Sequence, residues 1–261
     1  MRRTRLPCLP SDLPEGLRDR FCGVPVFDSS CSPEARVYFI DAEGGLYLKI
    51  AEGGALKSEA EMTAFFHTKG LAPEVLHYEI GERDLLLTRA ARGEDLTHDA
   101  YLSSPERLCD TFASRLRALH ETDGAGCPTE RRMDGYIALA EENYRAGKYD
   151  TSLFDGVFSF ASAHVAYEIF SSGKHLLKND TLIHGDYCLP NVMFDNWEFS
   201  SFIDLGNGGI GDRHVDIFWG AWTLFYNLKT DKYCDRFLDA YGRDRVDLDT
   251  LRVIAAAEVF G

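Results

Sequence analysis

Leu182-Ile183-His184-Gly185-Asp186-Tyr187-Cys188-Leu189-Pro190-Asn191, completed by Phe202-Ile203-Asp204-Leu205-Gly206, is the stretch that decides the fold. An Asp and an Asn stand five positions apart on one loop, and a second Asp closes an apolar run before a glycine. This set suits phosphoryl transfer to a hydroxyl. Such a reaction needs one carboxylate to hold and deprotonate the attacking group, and hard oxygen ligands to fix Mg²⁺ against phosphates. Asp186 fits the first task, and Asn191 and Asp204 the second. Plainer readings exist for each. Asp186 and Asn191 are turn formers that can hydrogen-bond their own loop. Asp204 follows Phe202-Ile203, read as a buried strand ending at a site, where an unpaired carboxylate is costly and a bound cation would account for it.

The 261 residues support a sizeable core, as one large domain or two packed lobes. Hydrophobic content of 45% and charged content of 27% are those of a soluble globular chain. No apolar run reaches the roughly 20 residues of a membrane span, and the basic start Met1-Arg2-Arg3-Thr4-Arg5 lacks the apolar stretch of a secretory signal. Seven cysteines without Cys-x-x-Cys spacing argue for reduced thiols in the cytoplasm. Cys188 reads as a loop thiol, since no activating base accompanies it. The formal charge of −14 disfavours nucleic-acid backbones. It suits a cationic small substrate, whose local concentration an acidic cleft raises, or it serves solubility alone.

Around the motif the chain divides by texture. Ala35–Ile40 and Leu46–Ile50 flank the turn Asp41-Ala42-Glu43-Gly44-Gly45 and read as a hairpin. Lys57–Lys69 is helical, stopped by Gly70 and Pro73. Val75–Ile80 and Asp84–Thr88 are two more strands. From Arg89 to Glu94 there is no periodicity, which reads as a hinge. Helices dominate beyond it: one with a capping box at Ser103-Ser104-Pro105-Glu106, then Arg132–Ala146, Phe158–Leu177, Asp216–Leu228, Lys232–Tyr241 and Leu248–Phe260. The fold class is α+β. Residues 1–88 form an N-terminal lobe with a small antiparallel sheet and one helix, 89–95 a hinge, and 96–261 a larger, mainly helical lobe that carries the motif.

With this order and these motifs the chain resembles the aminoglycoside phosphotransferases, whose fold is that of the protein kinases, over nearly its whole length. The nearest branch is the kanamycin-kinase, or 3'-phosphotransferase, type. The resemblance rests on His184-Gly185-Asp186 with Asn191, on Asp204-Leu205-Gly206 in the place of Asp-Phe-Gly, and on Gly211-Asp212 and Asp216-Ile217. It implies an antibiotic-resistance enzyme that uses ATP or GTP with Mg²⁺ to phosphorylate a cationic aminoglycoside, with nucleotide binding in the lobe of residues 1–88 and catalysis and substrate binding in that of 96–261. Asp186 would be its base, and Asn191 and Asp204 its metal ligands. Lys49 is then the lysine of the nucleotide phosphates, where strand pattern alone leaves a solvated lysine or a paired buried one. Glu59 is its partner by alignment, with Glu61 the rival. Ser32, in Ser30-Cys31-Ser32-Pro33-Glu34, would cover the phosphates, or be a plain turn. Backbone near Arg89 and Ala91 would hold the nucleobase. Glu258 would meet substrate. His184 would pack and orient the loop, and Asp216 would brace it, cap a helix, or both. His120 reads as a satisfied packing residue, and the aromatic run of Phe218, Trp219, Trp222, Phe225 and Tyr226 as core, with room for one ring to face substrate.

The acceptor side departs from that branch. Asn207 and Trp222 stand where it usually has arginines, and Tyr226 where it has an acid. A kinase of another small hydroxyl compound, or a nucleotide-binding protein without turnover, are the alternatives.

Overall fold

The computed structural model describes residues 3–261 apart from 12, 32 and 154–157. The first half of the chain is built on β1 (Thr4–Leu6), a six-residue helix α1 (Glu15–Arg20), β2 (Val26–Asp28), β3 (Ala35–Ile40), β4 (Leu46–Glu52), helix α2 (Lys57–Thr68), β5 (Val75–Glu79) and β6 (Arg83–Arg89). The strands form one antiparallel sheet in the order β1-β2-β3-β4-β6-β5. Strand β4 shows why. Leu46, Leu48 and Ile50 turn to an apolar core with Val26, Ile40 and Leu87, while Tyr47 and Lys49 face a cavity. That period of two is what a sheet covered differently on its two faces requires.

A short segment, 90–93, leads to β7 (Glu94–Asp95) and to α3 (Asp99–Leu102), α4 (Pro105–His120), α5 (Arg132–Arg145) and α6 (Ala163–Gly173). Strands β8 (Thr181–Ile183), β9 (Val192–Asp195), β10 (Glu198–Phe202) and β11 (Gly209–Gly211) follow, then α7 (Arg213–Leu228), α8 (Lys232–Tyr241) and α9 (Leu248–Glu258). The short strands make two small sheets, β10-β9-β7 and β11-β8. The helices enclose the larger core, whose centre is Phe112, Tyr187 and Phe237, all fully buried. Tyr187 stacks on Phe112 at 4.4 Å between centroids and donates its hydroxyl hydrogen to the Phe112 carbonyl at 2.9 Å. One loop residue is thereby fastened to the helical core through an aromatic pair and a buried hydrogen bond.

The hydrophobic cores do not divide at residue 88. Met62 and Phe66 of α2, with Leu71 and Ala72 after it, belong to the larger helical core, while the sheet keeps its own. Helix α2 therefore bridges the two parts, with Ala60 in a third small cluster beside Leu86.

Several elements differ from the sequence reading. Strands β1 and β2 and helix α1 lie ahead of the expected β-rich segment. The capping box before α4 does not form: Ser104 makes no side-chain cap, and the Ser103 hydroxyl donates to the Ala100 carbonyl of the preceding turn. Helix α6 begins at Ala163 instead of 158, because Ser162 caps it by accepting the Val165 N–H. Helix α7 starts three residues before Asp216, capped by Asp212, whose carboxylate accepts the His214 N–H.

Gly93 explains why the connection near the hinge has no side chain. Its φ is +79°, and a Cβ would lie 2.0 Å from the Phe194 carbonyl oxygen of β9. Gly135, in contrast, lies in α5 with nothing within 4 Å of a built Cβ. Gly93→Ala is expected to lose more than about 1 kcal/mol in urea unfolding. Gly135→Ala is expected to gain about 0.5–1 kcal/mol in the same assay. A neutral Gly93→Ala would contradict the close approach.

Candidate active site

The loop after β8 is held by one carboxylate. Asp216, fully buried in the first turn of α7, accepts the His184 N–H on Oδ2 and the Gly185 N–H on Oδ1, both at 2.7 Å. Its third partner is His120 at the end of α4, with Nε2 3.1 Å from Oδ2. The other ring nitrogen of His120 lies 2.8 Å from the Tyr241 hydroxyl. Burial lowers the His120 pKa, so the ring is neutral, with Nε2–H donating to Asp216 and Nδ1 accepting from Tyr241. The helix-capping alternative for Asp216 falls to Asp212; bracing the loop is the arrangement found. Gly185 has φ +83°, and a Cβ there would sit 1.9 Å from the Asn207 carbonyl, so the loop packs directly on the turn after Asp204.

From this anchor the loop carries Asp186, Cys188 and Asn191. Asn191 Nδ2 donates to the Asp186 backbone carbonyl at 3.0 Å and to Asp186 Oδ2 at 2.9 Å. The five-residue spacing thus closes a ring between the two side chains. Leu189 N–H donates to the Thr223 hydroxyl of α7, a second tie under the loop. Burial raises the Cys188 thiol well above its ordinary value, and the Asp186 charge adds to the rise, so at neutral pH it stays a thiol.

Ile203 joins the loop to Asp204. Its N–H donates to the Asn191 carbonyl at 3.0 Å, and its carbonyl accepts His184 Nε2–H at 3.1 Å. Asp204 then turns into the left-handed region, φ 59° and ψ 53°. A non-glycine residue rarely adopts that conformation. Here it ends the strand and delivers the carboxylate to the cavity. The side chain is 52% exposed. The expectation of a buried strand-end carboxylate is corrected on this point: the apolar burial stops at Phe202, and Asp204 is marked out by its backbone and its partner instead.

That partner is Lys49. Its Nζ lies 2.6 Å from Glu59 Oε2 and 2.9 Å from Asp204 Oδ1, which links β4, α2 and the turn after β10 in one ion cluster. Burial would lower the Lys49 ammonium, but the Glu59 and Asp204 charges outweigh it and raise it above its usual value. Glu61 instead faces Lys57, at 3.9 Å. Ser58 Oγ–H donates to the Gly206 carbonyl at 2.7 Å and ties α2 to the same turn.

These groups open on a cavity of about 330 Å³ between the sheet and the helical part, and Lys49, Glu59, Asn191 and Asp204 line it with Arg89, Ala91, Met193 and Ile203. The Arg89 guanidinium is occupied at the surface by Glu74, at 2.8 Å, so its contribution to the cavity wall is backbone and stem. The Ala90 N–H donates to the Gly45 carbonyl and continues the sheet; the N–H of Ala91 makes no hydrogen bond among the described residues. Ser32 lies outside the described residues, while Ser29 and Cys31 beside it line the cavity.

The two oxygen donors fit a hard cation. Asn191 spends its amide hydrogens on Asp186, which leaves Oδ1 without a hydrogen bond among the described residues, and Asp204 commits only Oδ1. No group of three His, Cys, Asp or Glu side chains among the described residues forms a metal cage. One amide oxygen and one carboxylate, with phosphates and water to complete the shell, is a donor set for Mg²⁺.

Glu258, at the end of α9, is buried and close enough to Asp186 to feel its charge. Burial raises its carboxyl to about 7, against the hydrogen bond from Tyr136; the Asp186 charge adds to the rise and Arg132 opposes it. The Tyr136 hydroxyl donates to Glu258 Oε1 at 2.9 Å. Arg132, at the start of α5, donates from Nε to the Asn207 carbonyl and from an outer nitrogen to Asn207 Oδ1, each at 2.9 Å. Sequence reasoning missed Ser58, Arg132, Tyr136 and Thr223. None lies in a motif, and their partners are distant in the chain. Arg132 alone had a faint signal, a cation opening the helix where an acid is favoured.

The phosphotransferase enzyme family model matches residues 30–254. Over 249 residues the chain is 45% identical to a probable aminoglycoside 3'-phosphotransferase of Lactococcus lactis, covering 95% of each. The chain belongs to the aminoglycoside phosphotransferase family. It is also 31% identical to an aminoglycoside 3'-phosphotransferase of Streptomyces fradiae, over 79% of this chain and 82% of that one. Its fold is that of an aminoglycoside-3'-phosphotransferase of type VIII, with TM-score 0.75, 24% identity and coverage of 94% and 97%. A Streptomyces rimosus aminoglycoside phosphotransferase in complex with ADP and streptomycin shares it at TM-score 0.67 and 20% identity, with coverage of 87% and 91%. The members of this family are kinases that transfer phosphate to hydroxyl groups, and this chain is such an enzyme.

Asp216→Ala would leave two buried N–H groups and His120 without their acceptor. A loss of about 3–5 kcal/mol in urea unfolding is expected. A loss below about 1 kcal/mol would show that the carboxylate does not hold the loop.

Proposed function

We propose that this phosphotransferase moves the γ-phosphoryl group of ATP or GTP to a hydroxyl of an aminoglycoside, with Mg²⁺, in the cytoplasm, and so confers resistance. The observation that carries the reading is the junction of Asp186, Asn191 and Asp204, through Ile203 and His184, at the mouth of a cavity that also holds Lys49.

The nucleoside triphosphate occupies the cavity, its base against the uncommitted Ala91 backbone. Lys49 exchanges its contact with Asp204 for phosphate oxygens and keeps Glu59, which fixes the ammonium in place. Asn191 Oδ1 and Asp204 would hold Mg²⁺, which would supply charge neutralisation of the phosphates when bound. Asp186 accepts the hydrogen of the acceptor hydroxyl. The acceptor oxygen bonds to the γ-phosphorus as the bond to the β,γ-bridging oxygen breaks. The proton passes to Asp186, and the nucleoside diphosphate leaves. Asn191 Nδ2–H, bonded to Asp186 Oδ2, orients the carboxylate for this.

The acceptor site favours a cation. Glu258 is a buried carboxyl that feels the Asp186 charge and has the neutral Tyr136 hydroxyl as its donor, and its deprotonated form is stabilised by a positive group of the substrate. The chain's charge of −14 raises the local concentration of such a substrate and disfavours nucleic acid. No helix among the described residues is long and apolar enough to cross a membrane. All seven cysteines are free thiols, which suits the cytoplasm, where nucleotide and Mg²⁺ are available.

The test is diphosphate release with a panel of aminoglycosides, with and without Mg²⁺. Turnover that requires Mg²⁺ is expected, with kcat reduced about 10²- to 10⁴-fold in Asp186→Asn while the nucleotide still binds. Nucleotide binding without turnover on any acceptor would refute the reading. The pH dependence follows from Glu258. Its carboxyl is neutral below about 7 and charged above it, so KM for an ammonium-bearing acceptor falls as pH rises from 6 to 8. Glu258→Gln is expected to flatten that profile; an unchanged profile would remove Glu258 from acceptor recognition.

A further inference from the structure

The guanidinium of Arg132 forks onto the turn that follows Asp204. Its Nε donates to the Asn207 carbonyl and Nη2 to Asn207 Oδ1, each at 2.9 Å. Both acceptors belong to one residue, so the planar fork fixes its backbone and its side chain together, which a single hydrogen bond does not. Asn207 is otherwise the exposed end of a three-residue turn, Leu205–Asn207, closed by the Gly208 N–H on the Leu205 carbonyl at 3.0 Å.

The fork is built on a fixed base. Thr129, three residues ahead of Arg132, accepts the Ile210 N–H of β11 on its carbonyl at 2.7 Å, and the Met133 N–H donates to Asn179 Oδ1 at 2.9 Å. Strand β11 pairs with β8, and β8 leads directly into the loop of Asp186. The head of α5 is therefore tied to the same small sheet that aims the catalytic loop. The Asn207 carbonyl that takes Arg132 Nε is also the atom 1.9 Å from where a Cβ would lie on Gly185. Arg132 thus holds the turn down on the residue just before Asp186.

Asp204 stands between two kinds of support. On its strand side the Ile203 N–H reaches the Asn191 carbonyl at 3.0 Å. On its other side only the turn holds it, and its left-handed backbone, φ 59° and ψ 53°, is a conformation that a non-glycine residue keeps where its surroundings enforce it. Ser58 grips Gly206 from α2 with one hydrogen bond; Arg132 grips Asn207 from α5 with two.

We propose that Arg132 is a positioning residue for phosphoryl transfer: by clamping Asn207 onto Gly185 it sets the separation of the Asp204 carboxylate from Asn191 and Asp186. The inference rests on the phosphotransferase reading and deepens it. Arg132 acts through the turn and needs no contact with the reacting atoms. Without the fork the chain still folds, but the turn lifts from the loop, and the two oxygen donors no longer stand at the spacing one cation requires.

The experiment compares the wild type with Arg132→Ala, Arg132→Lys, Asn207→Ala and, as a neighbour outside the clamp, Arg131→Ala, whose side chain is paired with Asp134 at the surface. Three quantities are read: Mn²⁺ affinity in the presence of a non-hydrolysable nucleotide, by electron paramagnetic resonance; hydrogen exchange of the Gly208 N–H in the metal-free protein; and kcat with an aminoglycoside. Arg132→Ala is expected to weaken Mn²⁺ binding and to lower kcat by about 10- to 100-fold each, with faster Gly208 exchange, while metal-free nucleotide affinity stays within about threefold. Arg132→Lys keeps the charge but cannot fork, so it is expected to stay within about threefold of Arg132→Ala. Adding Asn207→Ala to Arg132→Ala is expected to cost less than about twofold more, because the two act as a unit. Should Arg132→Ala fail to fold, Arg132→Lys and Asn207→Ala carry the test. Mn²⁺ affinity, Gly208 exchange and kcat all within about twofold of the wild type in Arg132→Ala would overturn the clamp, as would wild-type values in Arg132→Lys, which would assign the effect to charge. An effect of the same size in Arg131→Ala would also overturn it. Absence of wild-type turnover on every acceptor would overturn the activity reading, and Mn²⁺ affinity and Gly208 exchange would still decide the clamp.

Discussion

A single buried carboxylate organises the reacting end of this protein. Asp216 accepts two backbone N–H groups from the start of the loop and one from a neutral histidine, at a fully buried site. A buried acceptor with three donors is satisfied in an apolar core; the same side chain with fewer would not be. Its position on α7 sets the distance between that helix and β8. It thereby sets where His184 lies, and His184 in turn holds Ile203 and the base of Asp204. Asp186 has little support of its own beyond Asn191. It is placed by what is fixed before and after it.

The second constraint is electrostatic. Lys49 sits between two carboxylates, one on α2 and one on the turn after β10, so the sheet and the helical part are joined by one ammonium. Two acids around one cation leave an excess negative charge in an open cavity. On the proposed reading phosphates would bring still more and would enter with a divalent cation, so the exchange at Asp204 would relieve the local imbalance where a neutral ligand would not. Ser58 and Arg132 hold the Leu205-Gly206-Asn207 turn from opposite sides, which keeps Asp204 in its left-handed conformation through such an exchange.

The parts of the fold legible in the sequence were those with a short-range period: the β3–β4 hairpin, α2, and the helices from α5 onward to within a few residues. The site residues gathered by the structure were legible where a motif spacing imposes contact, as between Asp186 and Asn191, or where strand alternation aims a side chain, as for Lys49 on β4. What was not legible depended on distant packing. Ser103-Ser104-Pro105-Glu106 has the residues of a capping box, yet the short helix α3 in front of it claims the Ser103 hydroxyl. Asp204 was read as buried because Phe202 is; its left-handed turn, invisible to hydropathy, carries it out to the cavity. The role of Asp212 at the head of α7 was hidden by Asp216, which looks like the cap from pattern alone.

The account's central claim is that Asp186, Asn191 and Asp204 act on one phosphate through one cation. Its most direct test is a crystal structure with a non-hydrolysable nucleotide and Mn²⁺, read by anomalous scattering. Manganese at ~2.2 Å from Asn191 Oδ1 and an Asp204 carboxylate oxygen, with Lys49 turned from Asp204 to the phosphates, is the expected result. Manganese bound away from both residues, or Asp186 facing away from the terminal phosphate, would contradict it.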